Sequence, residues 1–212
     1  MKNLSFLILF AFPFLLNAQY GWKDCHTDLV FGFDVGNSFY LQSADRPALS
    51  DELIYGFRLG TNLNYPVADR LLLVTGFRLS DRVFKSYETT LILHEAFTEK
   101  QLHDFFAEIP FRARYILTHS KKQNRFYLEG GLDANLYIAS HAQDSIEAAF
   151  GRAENYNPFA LTLNLAPGFE KESNRNDISY FVQPIVRIQV TPKIEKSDFR
   201  FYHIGIETGI RF

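Results

Sequence analysis

From residue 28 onward the sequence alternates apolar and polar residues with period two, in eight long segments parted by polar connections. Successive side chains of a strand point to opposite faces, so each segment has one apolar face and one polar face. The segments cover residues 28–41, 53–65, 71–83, 103–117, 125–139, 158–171, 178–190 and 199–212. In the first, Leu29, Phe31, Phe33, Val35, Phe39 and Leu41 share a face, against Gly32, Asp34, Gly36 and Ser38. In the last, Tyr202, Ile204, Ile206, Ile210 and Phe212 oppose His203, Gly205, Glu207, Gly209 and Arg211. A globular strand is typically about 5–6 residues long. A tilted membrane strand needs about 9–11, plus residues that project beyond the bilayer. Segments of 13 to 15 residues fit the second case.

The connections alternate in length. Residues 66–70, 118–124 and 172–177 are short polar turns, whereas 42–52, 84–102 and 140–157 are longer; 191–198 departs from the pattern. Short turns at one rim and longer loops at the other are the pattern of outer-membrane barrels, and an even strand number returns both termini to one side. The expected fold is therefore all-β: an eight-stranded antiparallel up-and-down transmembrane β-barrel. Glu95 to Phe106 is the one stretch that admits a turn or two of helix.

The N-terminus reads as a targeting segment. Lys2 gives a positive start, Leu4 to Leu16 is a 13-residue apolar run, and Ala18 offers a small residue for cleavage. This is the order of a secretory signal peptide. The run is short for a spanning helix and is broken by Pro13. Residues 1–18 are thus expected to be removed, leaving 19–212 as the barrel domain. No later segment reaches 18 apolar residues, so a membrane-resident mature chain requires a closed barrel. The single cysteine, Cys25, permits no internal disulfide and lies too far from Ala18 for a lipoprotein anchor. A net charge of -2 gives no electrostatic footprint for nucleic acid.

The polar faces carry Arg58, Arg78, Arg82, Arg112, Arg114, Arg187 and Arg211, with Asp34, Glu108, Glu129, Asp133 and Glu207. A lipocalin-like periplasmic carrier would turn these charges to water and line its cavity with the apolar face. A membrane barrel turns them inward and gives Phe, Leu and Ile to lipid. Three features favour the second arrangement: the apolar faces are nearly free of charge, Tyr55, Tyr65, Tyr115, Tyr180 and Tyr202 fall near segment ends where an interfacial girdle sits, and the last strand ends on Phe212. Eight strands leave room for little more than side chains, so the inward charges read as a paired plug rather than a selective pore. The turn at 118–124 makes the fourth and fifth segments a hairpin. Arg112 or Arg114 then comes level with Glu129, with Arg78 near enough to join them. Glu207, on the last strand, reads as a position where glutamine is tolerated.

A terminal Phe on an amphipathic strand resembles the signal read by the outer-membrane barrel assembly machinery, which makes Phe212 the assembly signal. Phe106-Ala107-Glu108-Ile109-Pro110-Phe111 resembles the fourth-strand phrase of the PorT-like outer-membrane β-barrel domain family, and Phe126 to Gly131 (FYLEGG) resembles the strand that follows it there. The resemblance implies the barrel fold, residence in the outer membrane among its lipids and, from one namesake, a secretion or envelope partner. It supplies no functional residue.

Catalysis, as in a lipid A-modifying barrel enzyme, needs a nucleophile and a base at one rim. His141, Asp144 and Ser145 on the third long connection are the best candidates; His119-Ser120 sits on a short turn among lysines. No strand holds either set rigidly, so no catalytic residue is assigned. His94-Glu95 and His103-Asp104 match no closed metal-ligand spacing. Neither metal nor cofactor is expected, and the functional reading is a non-enzymatic scaffold that displays its longer loops.

One outcome follows directly. Amino-terminal sequencing of the membrane-associated protein should begin at Gln19, and a Met1 start would contradict the export reading.

Overall fold

A computed structural model describes residues 25–40, 54–89, 97–118, 124–143, 158–173, 178–192 and 199–212. Among them are eight strands and no helix: β1 (His26–Tyr40), β2 (Ile54–Ala68), β3 (Leu71–Thr89), β4 (Phe97–Ile116), β5 (Asn124–Gln143), β6 (Phe159–Glu172), β7 (Ser179–Gln189) and β8 (Phe199–Arg211). Each pairs antiparallel with the next, and β1 pairs with β8, which closes the barrel. The closing seam runs to the last residue, where Phe212 N–H donates to Thr27 O at 2.9 Å and Thr27 N–H to Phe212 O at 3.3 Å. Closure leaves no open edge around the wall, which is how a sheet can satisfy its backbone without water.

Parity governs burial along the strands, with Val83 of β3 buried against it and a register shift where β5 meets Phe105 and Phe106 of β4. On β7, Tyr180, Val182, Val186 and Ile188 face outward, while Ser179, Phe181, Gln183, Ile185, Arg187 and Gln189 are buried inside. The same holds on β8, where Ile206 is 56% exposed and its neighbour Glu207 is fully buried. The arrangement rules out the lipocalin-like interior, because the apolar face is outside. Tyr65, Tyr115 and Tyr180 lie at the rim of the short turns, and Tyr55 and Tyr202 towards the opposite rim.

Several boundaries differ from the sequence expectation. Glu95 to Phe106 holds no helix in its described part; β4 is already extended from Phe97. The long connection at 84–102 also shrinks, because Phe84 to Thr89 pairs residue by residue with Phe97 to Leu102. Likewise β5 runs on to Gln143. Each of these stretches satisfies the other's backbone groups. Their sequences are polar, with Lys85, Ser86, Glu88, Glu99 and Lys100, so the apolar alternation fades while the strands continue. Residues 1–24, including the expected signal peptide, lie outside the described residues, as does Leu53.

Glycine makes room inside the wall. Many inward positions are glycine, and their neighbours lean over them. A Cβ on Gly168 would stand 2.1 Å from Cζ of Tyr127, and one on Gly209 would stand 2.6 Å from the Phe181 ring. At Gly76 and Gly131, with φ of +157° and +158°, an added Cβ would instead strike the backbone of the adjacent strand.

Replacing Gly168 by Val should therefore overpack the interior, at a cost of about 1–3 kcal/mol. Pairing it with Tyr127→Ala should recover part of the loss in urea unfolding of the lipid-refolded protein. An unchanged midpoint for Gly168→Val would contradict the packing described.

Candidate functional site

The interior is the chemically distinctive part of the molecule. Among the described residues, Arg58, Arg78, Arg82, Arg112, Arg114, Arg187 and Arg211 are all buried inside, each within 4 Å of a buried carboxylate. Those carboxylates are Asp28, Asp34, Glu108, Glu129, Asp133, Glu170 and Glu207. Every strand contributes at least one member.

The contacts form one connected network. Glu207 on β8 is its hub: it takes Arg58 at 3.0 Å, Arg78 at 2.7 Å and Arg112 at 3.3 Å, and accepts from Gln183 Nε2 at 2.7 Å. Arg112, across the lumen on β4, grips Asp133 with Nε and Nη2 at 2.8 and 2.6 Å and reaches Glu129 at 3.0 Å. Such a two-pronged pairing is the strong form of the arginine–carboxylate bond. Arg114 meets Glu129 at 2.7 Å. Arg187 on β7 joins Glu108 at 3.0 Å, Asp133 at 3.1 Å and Asp34 at 3.4 Å. Towards the short-turn rim, Arg211 is held by Asp28 at 2.7 Å and Glu170 at 2.5 Å.

Both arginines named from the hairpin register thus contact Glu129. Arg78 joins them one step removed, through Glu207. The structure also changes how Glu207 reads. It neutralises three guanidinium groups at once, so glutamine there is not a neutral exchange.

Counting by segment, the sequence offers seven arginines against five carboxylates. Asp28 and Glu170 supply the rest. Both were legible by parity, since Asp28 lies six residues before Asp34 and Glu170 six after Asn164, which is also buried inside. Their positions near strand ends hid them. Asp104 is a further fully buried carboxylate.

Neutral groups complete the packing. Asn62 accepts from Arg78 Nε at 3.0 Å, Asn164 from Arg187 Nε at 3.0 Å, and Asn135 from Arg82 at 3.2 Å. Asn135 in turn donates to Thr162 Oγ1 at 2.8 Å. The Arg114 guanidinium lies 4.4 Å from the Tyr127 ring centre, and the Tyr127 hydroxyl donates to Gln183 Oε1 at 2.8 Å. His203 is buried opposite Gly36, and neither of its ring nitrogens has a hydrogen-bond partner among the described residues.

Of the other candidates, only His103, Asp104 and the backbone of His141 fall among the described residues. His103 faces outward on β4 and meets Asp81 of β3 at 2.9 Å, while its neighbour Asp104 turns inward, so that dipeptide presents no joint ligand set. His141 is on β5, level with His103. His94, His119, Ser120, Asp144 and Ser145 lie outside the described residues. Phe212 is exposed on the outer face at the end of the closing seam.

No family model matches the chain, and no curated protein matches it. Among solved structures it is similar to the outer membrane protein OprG from Pseudomonas aeruginosa, at 11% identity over 89% of this chain and 95% of that one, with a TM-score of 0.44. It is similar to Neisserial surface protein A (NspA) at 13% identity over 88% and 95%, TM-score 0.42. It is also similar to the outer membrane enzyme PagL at 9% identity over 86% and 97%, TM-score 0.42. Identities this low assign no residue role, and the barrel architecture rests on its own strand pairing.

Removing one partner of a buried pair strands the other charge, at about 3–5 kcal/mol. Glu129→Leu should therefore destabilise strongly, and adding Arg114→Leu should recover part of the loss in a double-mutant cycle. Glu207→Gln should lower the urea midpoint clearly. Strict additivity at the pair, or a wild-type midpoint for Glu207→Gln, would contradict the network.

Proposed function

We propose that this chain is a bacterial outer-membrane β-barrel, exported by a cleaved signal peptide, that acts as a sealed, non-enzymatic scaffold for its longer loops. The carrying observation is the inversion of polarity: apolar side chains face out from all eight strands around a buried ionic interior. A folded protein in water does not display so continuous an apolar surface. The outward face of β3 is apolar at Leu71, Leu73, Phe77 and Leu79, and meets its first charge at Asp81. That run matches the roughly 9–11 residues of a tilted membrane strand. Beyond this level β3, β4 and β5 continue as a ribbon that would stand outside the bilayer.

The interior supports a scaffold rather than a channel. Its arginines are paired across the lumen, and a conducting pore needs a hydrated path. A secretion or envelope partner at the loops, and biogenesis through the barrel assembly machinery using Phe212, belong to the same reading. So does membership of the PorT-like family. The enzyme reading would require His141, Asp144 and Ser145 to converge.

The protein should partition with the outer membrane and migrate differently on a gel when unboiled. Ile206→Arg should cost about 2–4 kcal/mol in lipid. Planar-bilayer recordings should show no large, stable conductance. Recovery in the soluble periplasmic fraction, or a steady open channel, would overturn the proposal.

A further inference from the structure

The outer face of β5 changes parity near its C-terminal end. Leu132, Leu136 and Ile138 face outward. Continued by twos, that count would put Ser140 outward and His141 inward. The ladder instead takes one extra residue at Ile138: Phe106 of β4 pairs with Tyr137, but Phe105 pairs with Ala139. Ile138 and Ala139 are accordingly both exposed. Such a β-bulge moves every position beyond it to the other face of the sheet. Buried Asp104 is then level with Ser140, and outward His103 is level with His141.

His103 is already held in place. Its Nδ1 lies 2.9 and 3.2 Å from the two carboxylate oxygens of Asp81 on β3. A carboxylate can only accept, so Nδ1 carries the proton and Nε2 keeps its lone pair. The Phe105 ring stacks on the imidazole, 6.4 Å between centres. A carboxylate on one ring nitrogen is the usual support of an imidazole that binds metal through the other. Directly opposite positions of an antiparallel pair share a face, with Cβ atoms about 4.5–5.5 Å apart. Imidazoles from two such positions can reach one metal ion at about 2.0–2.1 Å each. Asp81 is the first charge on the outward face of β3, so the pair stands at the edge of the apolar belt. Among the described residues no third His, Cys, Asp or Glu joins His103 and Asp81.

We propose that His103 and His141 chelate one divalent transition-metal ion of the zinc kind across the β4–β5 seam, with Asp81 as the positioning residue and water in the remaining coordination positions. Imidazole nitrogens suit zinc-like ions, whereas magnesium and calcium take oxygen ligands. The pair is hidden in the sequence because its members meet only through strand register, and the bulge reverses the parity of one of them.

The test is calorimetric titration of zinc chloride into the full mature chain, untagged, stripped of metal and refolded into phosphatidylcholine nanodiscs. NMR of the nitrogen-labelled imidazoles accompanies it. One zinc ion should bind, moving the Nε2 signal of His103 and a ring-nitrogen signal of His141 together. His103→Gln and His141→Gln should each weaken binding by about tenfold or more, and Asp81→Asn by about tenfold, with Asp81→Glu restoring part of it. His26→Gln, at the opposite rim, should leave binding unchanged. Should a variant not fold, the wild-type spectra decide alone. Zinc binding that survives either His103→Gln or His141→Gln, zinc that moves only one of the two imidazole signals, or no binding at all would overturn the chelate.

Discussion

A closed eight-stranded wall buries seven arginines against seven carboxylates, and their need for space and for matched charge shapes everything around them. A barrel of this size encloses a space that side chains can fill. With the apolar faces turned outward, that filling must come from the polar faces. Charges sheltered from water are tolerable only when matched, and here they are matched across the lumen rather than between adjacent strands alone. Arg112 on β4 and Glu207 on β8 sit on opposite walls yet touch. The network therefore serves as a core, with ion pairs where a soluble domain would have packed hydrocarbon.

The wall composition follows from the core. Long guanidinium groups need space, and inward glycines provide it: Gly32 lies beside Arg58 and Glu207, and Gly60 beside Arg78. Aromatic rings from neighbouring strands cover other glycines, as Tyr127 does at Gly168. Proline acts in the opposite sense. Pro110, Pro167 and Pro184 each remove a donor, and the ladder is interrupted beside them. The wall is thus continuous in chain path and uneven in how tightly its seams are tied.

Much of this is legible in the sequence, because period two maps residue number directly onto face. Strand number follows from the count of alternating segments, and the outward belt and most inward residues from their parity. What parity cannot supply is level. It places Glu129 inside without deciding between Arg112 and Arg114, and both turn out to bind it. It also placed Glu207 inside without showing that three arginines meet there, because their approach depends on the stagger of non-adjacent strands. Asp28 and Glu170 share the correct parity but sit near strand ends. The strand extensions of β3, β4 and β5 were hidden for another reason. Beyond the apolar belt the alternation of apolar and polar residues stops, and their polar residues read as loop.

The paired ionic core should shelter its guanidinium groups from water. The most direct measurement is hydrogen exchange of the arginine side-chain Nε–H groups by NMR, with the protein in lipid nanodiscs. Arg78, Arg112 and Arg187, whose Nε–H groups donate to Asn62, Asp133 and Asn164, should exchange far more slowly than a free guanidinium. Exchange of all three at the solvent-exposed rate would reveal a hydrated lumen and contradict that shelter.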